Sequence, residues 1–241
     1  MLRLSLRGSA WPRPRLLPTD GPLDEGGDVL KTVDQESWEL RLFCSLFPYG
    51  IELEMPKFAS RFQPILILVV LIWAVELVNF FLGHGLASWG ISPRSMSGLI
   101  GIPLAPMLHA GFWHTVSNTA PLFFLGALTL AGGKRRFWVT TVSVTLLSGA
   151  LVWLFARNAS HVGASGLVFG YFGAILARAV IDRSLSAVAI GVVTVMAYGG
   201  LIWGILPLRS YVSFESHLFG LIAGVLVVWL GEKFNRPKSP T

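Results

Sequence analysis

In the stretch HVGASGLVFG, His161 to Gly170, a serine stands among small residues at the head of an apolar run. A serine hydroxyl attacks a carbonyl efficiently only when a base takes its proton. His217, on a separate apolar run, is the candidate base, and it must come within hydrogen-bond reach of Ser165. His114 and Asn118 are spaced i, i+4, so on a helix they share one face and offer two donors. Such donors suit the oxyanion of an acyl transfer, and the Ser165 backbone N–H at a helix start adds a third. Each residue also has a plainer reading. A serine among Gly and Ala commonly packs, and a His/Asn pair can join helices or line a transport path. The joint presence of nucleophile, base and donors favours catalysis.

The elements that must position these residues follow from the composition. The chain has 241 residues, 53% of them hydrophobic and only 13% charged, with a mean hydropathy of +0.64. Soluble domains carry about 25% charged residues, so the deficit points to lipid as the main solvent. The net charge of +6 comes from basic residues dispersed beside apolar runs, and no nucleic-acid module is legible. Cys44 is the single cysteine, so no intrachain disulfide forms. No His/Glu set has metal-site spacing, and neither a metal nor another cofactor is expected.

Six apolar segments read as spans: Pro64–Leu82, Phe112–Ala131, Phe137–Phe155, Ser165–Val180, Leu185–Leu206 and Val212–Leu230. None alternates as a barrel strand would, so all are expected to be helices. The second is weakened by His114, Ser117 and Asn118. Glu76 is the one charge in the first and needs a partner or a wet cavity. Glu76 and Glu215 read as lipid-edge or loop residues, and His84 and His161 as loop histidines. Lys57 and Arg61, then Lys134, Arg135 and Arg136, then Arg178 and Arg183, then Lys233, Arg236 and Lys238 mark one side of the membrane. The other side carries only Arg94, Arg157 and Arg209. Both termini are therefore expected in the cytoplasm. His114, Asn118, Ser165 and His217 then all fall near the outer face.

A Ser–His pair needs closely packed helices, which small residues permit. Gly166, Gly170 and Ala174 recur every four residues after Ser165, and Gly220 and Gly224 share a face with His217.

Three stretches carry a family likeness: HAGFWHTVSN (His109–Asn118), GASGLVFGYFGA (Gly163–Ala174) and SHLFGLIAG (Ser216–Gly224). They resemble the H-x-x-x-N, G-x-S-G and H-x-x-G-x-x-x-G motifs of the rhomboid intramembrane serine proteases, in the family's order. The resemblance covers roughly Phe62 to Gly231 and is closest to the basic six-span bacterial type. It implies an all-α membrane protein, a six-transmembrane-helix bundle over residues 61–232, followed by a cytoplasmic basic tail at 233–241. It implies that Ser165 is the nucleophile and His217 the base, a dyad without an acid. It places His114 and Asn118 with the Ser165 N–H in the oxyanion hole. Gly163, Gly166, Phe169, Gly220, Gly224 and His109 are implied as supporting residues, His109 as a loop support.

Two departures stand out. The loop from Gly83 to Gly111 lacks the Trp-Arg pair common in the family, and Phe169 replaces a tyrosine that packs on the catalytic histidine. The implied activity is hydrolysis of peptide bonds in or near transmembrane segments, with transmembrane proteins as substrates and lipids as partners. The implied location is a bacterial inner membrane, and turnover is expected to be slow without a third acid. A client-binding relative without activity is the alternative; it normally lacks the serine or histidine, and both are present here. A transporter is disfavoured by the confinement of the polar set to one side. Residues 1–60, rich in acids and prolines, read as a partly disordered extension or as the product of a start site upstream of a true start at Met55.

Overall fold

The computed structural model describes residues 57–208 and 212–235. The expectations placed on residues 1–56, on Cys44, Met55 and Arg209, and on Arg236 and Lys238 lie outside the described residues. The described part is helical: α1 Lys57–Phe81, a short α2 Gly101–Leu104, α3 Phe112–Leu130, α4 Lys134–Phe155, α5 Ser165–Asp182, α6 Leu185–Tyr198 and α7 Phe214–Asn235. A 3-10 turn, Gly199–Ile205, extends α6. Among the described residues the only extended pairing is an isolated bridge between Ile91 and His161.

Among the described residues, five segments are long and apolar enough to cross a membrane: Arg61–Phe81, Lys134–Phe155, Ser165–Asp182, Leu185–Ile205 and Phe214–Lys233. The helix Phe112–Leu130 is of similar length, but His114, Thr115, Ser117, Asn118 and Thr119 dilute its apolar character. Of these, His114 and Asn118 are the ones expected to do chemistry. Short connections force neighbouring helices to run antiparallel. Ala131–Gly133 turns α3 into α4, with Gly133 at φ 102°. Arg183, left-handed at φ 50°, ends α5, and the Ser184 hydroxyl caps α6 by accepting from the Ala187 N–H. α7 runs on to Asn235 and includes Lys233, whose Nζ lies 5.2 Å from the Trp229 ring centroid.

α5 is the centre of the core. Leu167, Val168 and Tyr171 are buried together with Ile65, Leu122, Leu125, Phe137 and Val144 from α1, α3 and α4. The one polar atom at the Tyr171 tip is satisfied by Thr141, whose Oγ1 lies 2.6 Å from the phenol oxygen. α7 packs against α5 through glycine. A Cβ on Gly220 would strike the Gly166 carbonyl oxygen, and one on Gly224 the Gly170 carbonyl oxygen. Backbone meets backbone along this seam, which only hydrogen-sized side chains allow.

The loop between α1 and α3 is ordered by helical turns and anchored by two side chains. Arg94 Nη1 donates to the Ala156 carbonyl (2.8 Å), its Nη2 donates to Asn158, and Trp153 Nε1 donates to the Ser95 carbonyl (2.8 Å). The loop has no adjacent Trp-Arg pair, but an arginine from the loop and a tryptophan from α4 fasten it.

Candidate active site

Ser165 is the first residue of α5 and is almost fully buried. The turn before it is held from three sides. Gly163 N–H donates to the Ala105 carbonyl (2.9 Å), Ala164 N–H donates to His109 Nε2 (3.3 Å), and the His161 and Ile91 backbones exchange two hydrogen bonds at 3.0 Å. Gly163 has φ 116°, and the His114 ring lies against it, with Cε1 2.7 Å from where a Cβ would sit. Glycine is required there by conformation and by space. The first N–H groups of a helix have no intrahelical acceptor, and Ala164 supplies no side-chain cap. The Ser165 N–H is thus a free donor at the positive end of α5.

His109 is wholly buried. Because its Nε2 accepts from Ala164, the ring proton sits on Nδ1, which makes no well-aligned hydrogen bond although the Met107 carbonyl is near. Burial lowers its pKa to about 4, assisted by the neighbouring His114 and opposed by the Met107 carbonyl. His109 and His114 meet edge to face at 5.0 Å.

His217 lies one turn into α7. Its ring stacks on Phe169 at 4.3 Å and 8° between planes. Its Nδ1 is 2.8 Å from the Gly204 carbonyl oxygen. A carbonyl only accepts, so Nδ1 carries the proton and Nε2 keeps its lone pair. Phe169 is four residues after Ser165 on the same face, so the stacking ring ties the histidine to the helix of the serine. No hydrogen bond joins the Ser165 hydroxyl to His217 among the described residues.

The expected donors divide. His114 faces Gly163, next to the serine turn, and its Nδ1 accepts weakly from the Ala110 N–H (3.4 Å). Asn118 is buried, and its amide donates to the His114 carbonyl of its own helix (2.9 Å). The structure therefore brings Gly163, Ser165, His109, His114, Phe169 and His217 together, with Gly166, Gly220 and Gly224 forming the seam beneath, and leaves Asn118 engaged within α3.

Three residues expected at edge or loop positions, His161, Glu215 and Glu76, are buried, and His84 is half-buried. His161 Nε2–H donates to the Arg157 carbonyl (3.0 Å), and its Nδ1 lies 2.6 Å from the Ser213 hydroxyl. Ser213 also caps α7 by accepting from the Ser216 N–H (3.2 Å). Glu215 is not at a lipid edge: it is buried and pairs with Arg157 Nε at 3.4 Å. Glu76 is buried as well, accepting from Asn79 Nδ2 at 3.3 Å, with His84 Nδ1 3.7 Å away. Asn79 in turn donates to the His109 carbonyl (2.9 Å). These groups pin the loops beside the site. Their roles were hidden because a lone Asn, Ser or Glu has no spacing signal. Gly204 was missed for the same reason: its function lies in a carbonyl, which every residue has.

A small cavity of about 20 Å³ touches Gly163, Gly166, Ser148, His161 and Ser216, enough room for one water. Among the described residues no group of three or more His, Cys, Asp or Glu side chains is placed to hold a metal ion.

Comparison with known proteins agrees with this geometry. A family model described as the Rhomboid domain matches residues 93–234. An uncharacterised protein of Mycobacterium tuberculosis is 37% identical over 73% of this chain and 77% of its own length. An uncharacterised Mycobacterium leprae protein is 37% identical over 69% of each. The rhomboid-like protein 11 of Arabidopsis thaliana, a chloroplastic protein by name, is 31% identical over 54% of this chain and 51% of its own. The polar, glycine-seamed site and these matches together lead to one statement: the chain belongs to the rhomboid family, whose helical, membrane-embedded architecture it shares.

Proposed function

We propose that this chain is an intramembrane serine endopeptidase that hydrolyses peptide bonds in or near the membrane segments of other proteins. The observation that carries the reading is the setting of His217. Gly204 fixes its proton on Nδ1, Phe169 fixes its plane, and the glycine seam fixes its helix against that of Ser165. The free Nε2 is then the base that takes the Ser165 hydroxyl proton as the serine attacks the scissile carbonyl. A hydrogen bond absent before substrate arrives forms as the two side chains close, which is common for catalytic pairs. The Ser165 N–H and His114 receive the developing oxyanion, with Asn118 joining if its amide leaves the His114 carbonyl. His217 then gives its proton to the leaving amine, and water attacks the acyl-enzyme with the same histidine as base.

In this reading Phe112–Leu130 is a sixth span beside the five apolar ones, both termini are cytoplasmic, and residues 61–232 form the protease domain. Substrates are single-span proteins that unwind locally, in a bacterial inner membrane. Labelling of the purified protein with a fluorescent fluorophosphonate tests the reading. Wild type is expected to label, and Ser165→Ala and His217→Ala are expected to abolish it. Folded wild type that neither labels nor cleaves a single-span substrate in liposomes would favour a client-binding protein.

A further inference from the structure

At the end of α5 far from Ser165, two hollows adjoin. The first has a volume of about 320 Å³ and is lined by Arg136, Arg178, Asp182, Ser184 and Ser186, where α5 ends and α6 begins. Arg178 Nη1 is 4.0 Å from Asp182 Oδ2, a long ion pair. Arg136 is exposed and folds back across Gly132, its Nη1 2.8 Å from where a Cβ would sit. Among the described residues it has neither an ion pair nor a hydrogen bond. Glu232 on α7 is near enough to act on Arg178 but does not line the hollow. The lining therefore holds two guanidinium groups, one carboxylate and the hydroxyls at the start of α6.

The second hollow, about 520 Å³, lies between α1, α3 and α6. Phe62, Phe124, Val193 and Tyr198 make it mainly apolar, and Arg61 is the one charged residue on its lining. Thr194 lines it, wholly buried, and its hydroxyl has no hydrogen-bond partner. Leu128 and Ala131 line both hollows, so the basic basin opens into the apolar groove. Both volumes are of ligand size. Free phosphate would use only the basin, and hydrocarbon alone would leave the Arg136 guanidinium unmatched, since Asp182 already pairs with Arg178. An acyl chain carrying a phosphate matches both.

We propose that this joined site holds one anionic phospholipid, its phosphate between Arg136 and Arg178 and an acyl chain in the groove of α1, α3 and α6. Guanidinium groups suit phosphate because their forked donors meet its oxygens in pairs. The site is remote from Ser165 and independent of the chemistry there.

The test uses the full chain, purified in detergent and offered equal phosphatidylglycerol and phosphatidylcholine, with retained lipid counted by native mass spectrometry. One phosphatidylglycerol per chain is expected, in preference to phosphatidylcholine. Arg136→Gln, an exposed change that leaves the fold intact, is expected to lower retention about fivefold. Ala127→Phe, which narrows the groove without touching a charge, is expected to lower it too. Fluorophosphonate labelling should be unchanged in Arg136→Gln, which keeps this result separate from the fate of the protease reading. Equal retention of the two lipids, or retention indifferent to Arg136→Gln, would overturn the proposal. So would displacement of the lipid by millimolar inorganic phosphate combined with indifference to Ala127→Phe, since the site would then be one for free phosphate.

Discussion

α5 and α6 are consecutive, both apolar and joined by two residues, yet they are built in opposite ways. In the most apolar window of α5, 61% of residues are buried; in the Leu185–Ile205 span the figure is 11%. α5 is buried without a break from Leu167 to Ile175, whereas α6 buries only Gly191 and Thr194. Val192, Val193, Val195 and Met196 face outward. The site draws on both. Ser165 starts the packed helix, while the Gly204 carbonyl that orients His217 lies in the turn ending the loosely packed span. Segments with few buried contacts open most readily. The difference teaches that, in the proposed mechanism, the nucleophile is placed by packing and the base is oriented by a loosely packed wall. A carbonyl on that wall does for the Nδ1 proton what an acidic third residue does elsewhere.

The comparison is most severely broken at the seam. Gly224→Val drives a branched side chain into the Gly170 carbonyl and should destabilise the bundle by about 3 kcal/mol or more. Thermal unfolding in detergent would show it, with labelling lost as well. Next comes His109, which holds the α5 start through Ala164. Its folded pKa of about 4 lies below the ordinary value of 6.5. The unfolded chain therefore takes up a proton before the folded one does. The His109 contribution is full above about pH 6.5 and is lost as pH falls toward about 4, costing about 3 kcal/mol in all. His109→Gln should flatten that part of the stability–pH curve.

On the loosely packed side, effects should appear in rate rather than in stability. A Cβ at Gly204 would lie 2.9 Å from Phe169 Cζ and 3.0 Å from His217 Nδ1. Gly204→Ala is expected to slow fluorophosphonate labelling by about tenfold or more while leaving the unfolding temperature nearly unchanged. An equal loss of stability would show the turn to be as firmly packed as α5. Smallest of all, Val193→Ala on the exposed face of α6 should change stability by no more than about 0.5 kcal/mol.

Much of the candidate site was legible because its chemistry needs particular side chains at helical spacing. Ser165, His217, His114 and the glycines of the seam announced themselves by type and period. Phe169 was legible as a ring four residues from the serine. Where residue type carries no such signal, reading failed. Glu215 and Glu76 looked like edge residues because hydropathy treats a carboxylate alike whether or not an arginine or an asparagine waits for it. Arg94 and Trp153 anchor one loop from positions 59 apart in the chain, which no local pattern reveals.

By itself, then, the sequence determined the solvent, the helical state and which groups are candidates for chemistry. Lipid demands internally satisfied backbone, and polar side chains in such segments are too costly to be incidental. Tertiary structure alone decided which proton His217 carries, which loop groups are buried and paired, and that Asn118 is turned to its own helix. Those depend on a carbonyl, a ring plane and a charge arriving from distant parts of the chain, and only the packed bundle sets their distances.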